Sequence, residues 1–467
     1  MTEVAMSTSE LKASESTASD PNKSPTTSFV AKSPRLRKRK SSVIRAARDI
    51  CENSTFSAKN EKVAKIEIVK IKFSNIAQPT LNSKILAELK KNPPAFWDLP
   101  KNDFSEISKF AKTNKKWRQV LIIGIGGSSL PARTLTVALS GKNSPEFHFL
   151  ENLDSTTAAK IFAKIEWSKT LVLIISKSGG TLETLANFFV VQKLLGNSWR
   201  KQVVVITDSE KGFLRELAKK EKLTTFEIPA EIGGRFSVLS SVGLLPAALA
   251  KANLGKLLAG ARKADPRKAL NFAQLQAAEF RRGKNISTFC IYSDALKNFA
   301  KWWEQLLAES IGKSSKIGIT PEIAVGATDQ HSKLQLWADG PNDKFFTFLG
   351  VRNFEKDFKI PNPPDVETLR CDVSFPNKEF SFLQGKSMQQ VLQAEFLATT
   401  KSLVEKKRPL AILEIEKIDE ENLGELAQFW MLEVYFLGKL LKVNPFGQPG
   451  VERGKVLTRR ILEKNKG

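Results

Sequence analysis

Five short, largely apolar segments, separated by stretches with helical spacing, constrain the fold of this chain more than any other feature. They are VLIIGIG (120–126), FHFL (147–150), TLVLIIS (170–176), VVVIT (203–207) and TTFEI (224–228). Strands that are apolar along their whole length are buried on both faces, which is typical of a parallel sheet covered by helices. The pattern therefore predicts a doubly wound α/β domain.

A second, looser set of apolar segments follows in the C-terminal part of the chain. Its members are TFCIYS (288–293), FFTFLGV (345–351) and PLAILEI (409–415), and helix-like stretches lie at 298–309 and 422–441. Two tandem doubly wound parallel-sheet domains are the economical architecture for this order of elements. We place the first domain, with a lead-in segment, at 61–280 and the second, with a C-terminal helical segment, at 281–467.

Residues 1–60 show no such pattern. They are rich in Ser, Thr, Lys and Ala, and a segment of this composition buries too little apolar surface to offset the entropy of ordering. We therefore predict a disordered basic tail. Its run RLRKRK (35–40) has the composition of a nuclear-localisation or polyanion-binding patch, although such runs are more often simply solvated.

The net charge of +24 is compatible with a nucleic-acid partner or with a generally basic, solvated surface. Zinc-finger spacing, a basic-leucine pattern and an aromatic RNA-binding signature are all missing from the sequence. Their absence favours the basic surface. We therefore expect no nucleic-acid partner.

Cysteine usage and hydropathy predict the compartment. Cys51, Cys290 and Cys371 are widely spaced without a CxxC pair, which favours neither a disulfide framework nor a metal site and indicates a reducing environment. No apolar run approaches the roughly 18 residues needed to span a bilayer, and the N-terminus lacks the apolar block of a secretory signal. We expect a cytosolic protein that does not associate with membranes.

The first strand ends in a glycine-rich turn at 124–129, Gly-Ile-Gly-Gly-Ser-Ser. Glycines allow the backbone to approach a ligand closely, and a helix that begins there offers free N–H groups. The turn nearly matches GxGxxG, but Ser129 stands at the third glycine position, so the helix–strand packing of dinucleotide-binding domains is not supported. Alone, the turn is a weak signal.

The turn at 176–181, Ser-Lys-Ser-Gly-Gly-Thr, is more informative. It lies between the strand TLVLIIS and the helical run LETLANFFVVQKLL. Three hydroxyls, two glycines and the amides of a helix start can surround a phosphate monoester, whereas an ordinary N-cap needs one hydroxyl. The GxxxxGK[ST] loop of triphosphate-binding proteins is missing. We therefore predict a phosphosugar site at the carboxyl edge of the first sheet.

Six segments, in order, resemble the phosphoglucose isomerase family between Phe96 and Lys455. They are IGIGGSSL (123–130), ISKSGGTLET (175–184), GGRFSVLSSVGLLP (233–246), WWEQLLAESIGK (302–313), TDQHSKLQL (328–336) and NPFGQPGVERGK (444–455). The resemblance implies domains of the sugar-isomerase type and reversible isomerisation of glucose 6-phosphate and fructose 6-phosphate, without a cofactor or metal. It also implies a homodimer with shared active sites.

The resemblance further assigns roles to individual residues. It makes Glu309 the base that moves a proton between C2 and C1, and Arg235 the cation facing the enediolate. It makes His331, assisted by Lys455, the group that opens the sugar ring. The phosphate-binding residues are Ser176, Lys177, Ser178 and Thr181. The residues that line the sugar are Gly127, Ser128, Glu183 and Gln448.

These residue types suit the implied chemistry. Aldose–ketose isomerisation needs a base, a cation for the developing oxyanion and a means of opening the ring. A guanidinium such as that of Arg235 stays charged in a closed site. Of the two histidines, His148 lies inside the strand FHFL, where a structural role is expected, which leaves His331 for ring opening.

Three positions depart from the family pattern. Pro131 stands where glycine is common, Ala308 precedes Glu309 where glycine is frequent, and Gly447 replaces the acidic residue often found before Gln448. A proline suits an early helical position. The departures therefore bear on loop geometry more than on reaction type.

Three alternatives remain open. A non-catalytic phosphosugar sensor accounts for 176–181 but leaves Glu309, His331 and Lys455 without a task. An isomerase that also accepts mannose 6-phosphate is compatible with the same residues. An NAD-dependent oxidoreductase that uses 124–129 does not account for the turn at 176–181.

Overall fold

The computed structural model describes residues 69–361 and 381–464, and the predicted tail, its run at 35–40, Cys51 and Cys371 lie outside them. The strands form two five-stranded sheets, so the predicted α/β class with two sheets is confirmed. The strands are β1 (Val69–Ser74), β2 (Gln119–Ile123), β3 (Glu146–Leu150), β4 (Thr170–Ile175), β5 (Val203–Asp208), β6 (Thr224–Ile228), β7 (Ile286–Ile291), β8 (Thr320–Val325), β9 (Lys344–Val351) and β10 (Leu410–Ile415).

Helices connect the strands and cover the sheets. They are α1 (Ser83–Lys91), α2 (Ser105–Thr113), α3 (Leu130–Leu139), α4 (Ser155–Phe162), α5 (Leu182–Leu195), α6 (Trp199–Gln202), α7 (Phe213–Lys220), α8 (Ser241–Leu249), α9 (Leu254–Lys263), α10 (Pro266–Arg281), α11 (Lys297–Ile311), α12 (Gln330–Asp339), α13 (Met388–Glu405), α14 (Glu420–Leu440) and α15 (Glu452–Lys464).

The first sheet is parallel throughout, in the order β3-β2-β4-β5-β6. Its strands β2, β4 and β5 are buried along their whole length, as their apolar sequences predict. The chain passes from β2 to β3 on one side and then to β4 on the other, so the strand order reverses between β2 and β4. Such a reversal opens a crevice at the carboxyl ends of the two strands, where open α/β sheets bind ligands.

The second sheet has the order β1-β10-β9-β7-β8 and is parallel except for β1, which runs antiparallel to β10. Strands β1 and β8 are additions to the predicted set. In β1, the exposed Lys70 and Lys72 alternate with Ile71 and Phe73, which pack against the core, and this alternation is typical of an antiparallel strand with one solvated face. Strand β8 contains Pro321, which an edge strand tolerates.

Helix α11 connects the two halves of the fold. It follows β7 of the second sheet, yet it contacts α3 and the turns at 126–128 and 234–236 beside the first sheet. Its Trp302 and Trp303 are buried, and Trp302 Nε1 donates a hydrogen bond to the carbonyl oxygen of Arg235 at 2.9 Å. The last turn of α11, which bears Glu309, therefore reaches the carboxyl edge of the first sheet.

The predicted domain boundary, between residues 280 and 281, falls at the C-terminal end of α10, just before β7. The division into two domains remains a prediction, and the lead-in strand β1 pairs in the second sheet.

Across the described ranges, no helix is both long and apolar enough to cross a bilayer. The cytosolic location likewise remains a prediction. Cys290 is a buried free thiol.

Candidate active site

A cavity of about 740 Å³ lies at the carboxyl edge of the first sheet. It is bounded by the turns after β2, β4, β5 and β6, by the last turns of α11 and by the segment after α14. Most of the residues predicted to form the site line it: Gly127, Ser128, Lys177, Ser178, Thr181, Arg235, Glu309, Gln448 and Lys455. Ser176, Glu183 and His331 are not among its lining residues in the described part of the chain.

Two glycine-rich turns, the one after β2 and the one after β6, meet at the carboxyl end of β2. A Cβ atom at Gly127 would lie 2.4 Å from the carbonyl carbon of Gly234, so any side chain there would separate the two backbones. Ser129, at the position where dinucleotide-binding turns carry their third glycine, is buried and hydrogen-bonded through Oγ to Glu151. Arg133 pairs with the same carboxylate at 2.5 Å. Ser129 therefore ties the start of α3 to the segment that follows β3.

The hydroxyl turn, residues Ser176–Thr181, brings three hydroxyl groups together. Thr181 Oγ1 lies 2.9 Å from Ser176 Oγ and 3.4 Å from Ser178 Oγ, and the two serine oxygens are 3.5 Å apart. Thr181 is the N-cap of α5, but its side chain makes no capping hydrogen bond. The simple N-cap explanation of this turn therefore fails, and the hydroxyls and the amides at the start of α5 suit a bound phosphate.

The turn after β5 supports the hydroxyl turn and was not predicted. Gly212 has φ +100°, and a Cβ atom there would lie 2.4 Å from the carbonyl oxygen of Ser178. Lys211 lines the cavity beside it. Lys211 follows the strand VVVIT, and residues after the carboxyl ends of parallel strands often bind ligands. The strand pattern was therefore a local signal for a second lysine, besides Lys177, in the cavity wall.

Charged groups surround Lys177. Its Nζ donates to the carbonyl oxygen of Ala230 at 2.5 Å. Burial lowers the pKa of Lys177, and the negative charges of Asp208 and Glu231 oppose that shift. The pKa of Asp208 is itself held low, chiefly because its carboxylate accepts hydrogen bonds from backbone amides of the 208–211 turn. Lys177 is thus a partly desolvated cation at the cavity wall.

The carboxylate cluster consists of Arg235, Gln305, Glu309 and Gln448. Glu309 Oε2 accepts from Arg235 Nη1 at 3.0 Å, and Oε1 accepts from Gln305 Nε2 at 2.8 Å. The side chain of Glu309 is 28% exposed, so it is fixed in orientation while remaining accessible from the cavity. Gln305 was not predicted, although its spacing of four residues from Glu309 places both on one helix face.

Arg235 is buried, and every guanidinium nitrogen has a protein partner. Nε donates to Ser310 Oγ at 2.7 Å, and Nη1 donates to Glu309 and to Gln448 Oε1. Nη2 donates to the carbonyl oxygens of Pro445 and Gly447 at 2.5 and 2.9 Å. Burial lowers the pKa of Arg235, and Glu309 opposes the shift. Arg235 therefore contributes positive charge to the cavity and also organises the segment that carries Gln448.

The remaining predicted site residues lie on three different helices. Lys455, on α15, is exposed and pairs with Glu452 at 2.7 Å. His331 is the exposed second residue of α12, and Glu183 lies in the first turn of α5. His148 is buried in β3, 3.3 Å from the side chain of Gln119.

The three departures from the family pattern each fit their surroundings. Pro131 occupies the first turn of α3, where its missing N–H costs no helical hydrogen bond. Gly447 has φ +68°, a conformation that favours glycine. Ala308 is half-buried on α11. Within residues 69–361 and 381–464, no three His, Cys, Asp or Glu side chains are grouped as a metal ion would require.

Comparison with known proteins identifies the family. A model of the phosphoglucose isomerase family matches residues 107–467. The glucose-6-phosphate isomerase of Rubrobacter xylanophilus is 38% identical over 398 residues, which cover 79% of this chain and 89% of that protein. A probable glucose-6-phosphate isomerase of Methanococcus maripaludis is 34% identical over 438 residues, which cover 89% of this chain and 96% of that protein.

Solved structures agree with the sequence relatives. A hypothetical protein from Thermus thermophilus matches with a TM-score of 0.73 at 35% identity, covering 81% of this chain and 93% of that chain. A glucose-6-phosphate isomerase from Chlamydia trachomatis matches with a TM-score of 0.65 at 25% identity, covering 77% of this chain and 72% of that chain. The resemblance inferred from the six segments is confirmed, and the chain belongs to the phosphoglucose isomerase family.

Proposed function

We propose that this chain catalyses the reversible isomerisation of glucose 6-phosphate to fructose 6-phosphate. The observation that carries the proposal is a single cavity, in a chain of this family, that is lined both by the hydroxyl turn and by the carboxylate cluster. The first suits a phosphate monoester, and the second supplies a base next to a cation. A non-catalytic sensor would have no use for an oriented carboxylate in the same cavity.

In the proposed reaction, Ser178, Thr181 and Lys177 hold the phosphate, with Ser176 supporting them from behind through its contact with Thr181. Gly127, Ser128, Glu183 and Gln448 are the proposed sugar-binding residues. The phosphate contacts are remote from the reacting carbons, so their binding energy serves to place the sugar against the base.

Glu309 is the proposed base. After ring opening, its carboxylate removes the proton from C2 of the aldose and the electron pair moves onto O1, while the proton of the C2 hydroxyl passes to O1, which gives the enediolate. Returning the proton from Glu309 to C1 then forms the C2 carbonyl of the ketose and restores the carboxylate. The positive charge of Arg235 stabilises the developing oxyanion, and Gln305 holds the other carboxylate oxygen in place.

The proposal is tested by incubating the purified chain with glucose 6-phosphate and measuring fructose 6-phosphate directly by NMR. Substrate deuterated at C2 should yield product with part of the label at C1, because one base carries the proton between adjacent carbons. Parallel incubation with mannose 6-phosphate measures selectivity at C2. No turnover of either sugar would contradict the proposal.

We also infer a homodimer in which His331 and Lys455 assist ring opening, with His331 acting in the site of the neighbouring subunit. The exposed position of His331, apart from the residues lining its own cavity, supports this arrangement. Refolding Glu309→Gln chains together with His331→Ala chains should restore about a quarter of wild-type sites, because half of randomly paired dimers are mixed and each has one intact site.

A tagged pull-down provides the control for this mixing experiment, since it measures the fraction of mixed dimers independently of activity. Mixed dimers that remain as inactive as each parent would show that His331 serves its own subunit or has no part in catalysis. A chain that stays monomeric would contradict the shared site directly.

A further inference from the structure

Lys313 is the last residue of the segment AESIGK (308–313), and the proposed reaction gives Lys313 no role. It lies two residues beyond the end of α11. Its Nζ donates to the carbonyl oxygen of Gly447 at 2.5 Å and lies 3.3 Å from that of Phe446. Arg235 binds the carbonyl oxygens of Pro445 and Gly447. Two cations therefore hold three successive carbonyl groups, and both bind that of Gly447.

The position of these contacts along the chain is informative. Phe446 is anchored by packing, with its ring 5.3 Å from that of Phe236. From Gly447 to Lys464 every residue is exposed. The carbonyl contacts made by Lys313 and Arg235 thus hold the chain at the point where it leaves the core. Gln448 and Lys455, which both line the cavity, follow immediately.

Building on the proposed isomerase function, we propose that Lys313 is a positioning residue for the reaction: it fastens the turn at 445–448 so that Gln448 stays beside Arg235 and Glu309. Lys313 does not line the cavity itself, so it acts through the turn. Displacing the turn also displaces the carbonyl oxygens that complete the bonding of Arg235, which links Lys313 to the cation facing the enediolate.

The charges around Lys313 give the proposal a measurable signature. Within the described residues Lys313 makes no ion pair. Burial and the nearby positive charge of Arg235 lower the pKa of Lys313 to about 8, and Glu309 opposes the shift. The ammonium group that binds the carbonyls is therefore lost as the pH rises through about 8, and the turn should loosen in the same range.

The principal variant is Lys313→Met, which keeps most of the aliphatic stem and removes the ammonium group. We expect kcat/KM to fall by at least about tenfold, because displacements of about 1 Å in a positioned group cost up to roughly 10²-fold. Inhibition by inorganic phosphate should be unchanged, since the hydroxyl turn is untouched. Lys313→Arg should recover part of the loss, because a guanidinium can also donate to two carbonyls.

Lys316→Met is the matched control. Lys316 is exposed and three residues farther along the chain, so its substitution removes the same charge without disturbing the turn, and we expect wild-type kcat/KM. The pH profile provides a second readout. Wild-type kcat/KM should fall above about pH 8, and Lys313→Met, although less active throughout, should lack this fall.

Gly447→Asp sharpens the test, because it places a carboxylate beside Lys313 at the position where the family often has an acidic residue. Aspartate is among the residues that tolerate a positive φ. The added negative charge should raise the pKa of Lys313. In a chain that is otherwise wild type, the fall in kcat/KM should therefore occur at a higher pH, whereas Gly447→Asp should have no such effect in the Lys313→Met background. A shift of equal size in both backgrounds would overturn the proposal.

Hydrogen exchange separates this proposal from the proposed function. Backbone amides of 446–451 should exchange faster in Lys313→Met than in Lys316→Met, whether or not the chain turns over glucose 6-phosphate. If the wild-type chain lacks isomerase activity, the function fails and the exchange measurement still tests the turn. Unchanged exchange, or unchanged kcat/KM in an active enzyme, would show that Lys313 does not position the turn.

Discussion

The hydroxyl turn and the carboxylate cluster line the same cavity but are built differently. The hydroxyl turn comes from six consecutive residues and presents neutral hydroxyls and a helix start. The carboxylate cluster brings together residues 235, 305, 309 and 448 around one partly buried ion pair. The first has several similar donors, so the loss of one leaves the others. The second has one group for each task, so a single substitution should be far more damaging.

Removing the proposed base should have the largest effect. Glu309→Gln keeps the side-chain shape and removes the basic oxygen, and we expect kcat to fall by roughly 10²–10⁴-fold because a positioned general base contributes that much. Binding of glucose 6-phosphate, measured by calorimetry, should survive because the hydroxyl turn is intact.

Glu304→Gln is the control for this change. Glu304 lies on the same helix and pairs with Lys301 at 2.9 Å, but it does not line the cavity, so its substitution should leave kcat unchanged. Retention of more than about a tenth of wild-type turnover by Glu309→Gln would mean that another group is the base.

Replacing the cation of the cluster should have the next largest effect. Arg235 donates to five acceptors, whereas lysine has three donors and no planar fork. We expect Arg235→Lys to lower kcat by about 10²-fold, in line with the loss of a preorganised oxyanion stabiliser, and to lower the melting temperature because buried acceptors lose their partners.

Arg133→Lys provides the comparison, since Arg133 also pairs with a carboxylate, that of Glu151, but lies outside the cavity lining. It should change kcat little. Equal losses of kcat in the two variants would indicate a general effect on folding instead of a role for Arg235 in the reaction.

The same contrast explains what the sequence can predict. The hydroxyl turn was recognisable from the residues themselves, because all its groups lie within 176–181 beside a strongly apolar strand. The carboxylate cluster was not recognisable from its residues, because the periodicity of the sequence cannot reveal that α11 brings Glu309 next to Arg235. Arg235, Glu309 and Gln448 were predicted only through the family resemblance, Gln305 was not predicted, and the proposed roles of all four remain untested.

Two lysines and two strands were not predicted from the sequence, for different physical reasons. Lys211 and Lys313 look like ordinary solvated lysines until the fold places one beside the hydroxyl turn and the other against the carbonyl of Gly447. Strand β1 was missed because its lysines reduce its apolar character, and β8 because Pro321 interrupts it. Tertiary contacts decide the outcome for Lys313, whereas the position of Lys211 after a parallel strand and the alternation in β1 are local signals too weak to decide alone.

The smallest effect is expected from a single change in the hydroxyl turn. Thr181→Val keeps the side-chain shape and removes one hydroxyl, and no capping bond is lost because the Thr181 side chain does not cap α5. We expect KM for glucose 6-phosphate to rise about tenfold, the cost of one hydrogen bond to a charged group, with kcat unchanged. The melting temperature should fall slightly, because the buried Ser176 Oγ loses its 2.9 Å contact with Thr181 Oγ1. Thr181→Ser, which retains the hydroxyl, should behave like the wild type. A fall in kcat comparable to that of Arg235→Lys would contradict the distinction between the two regions, because it would mean that the turn acts on the reacting carbons and not only on the phosphate.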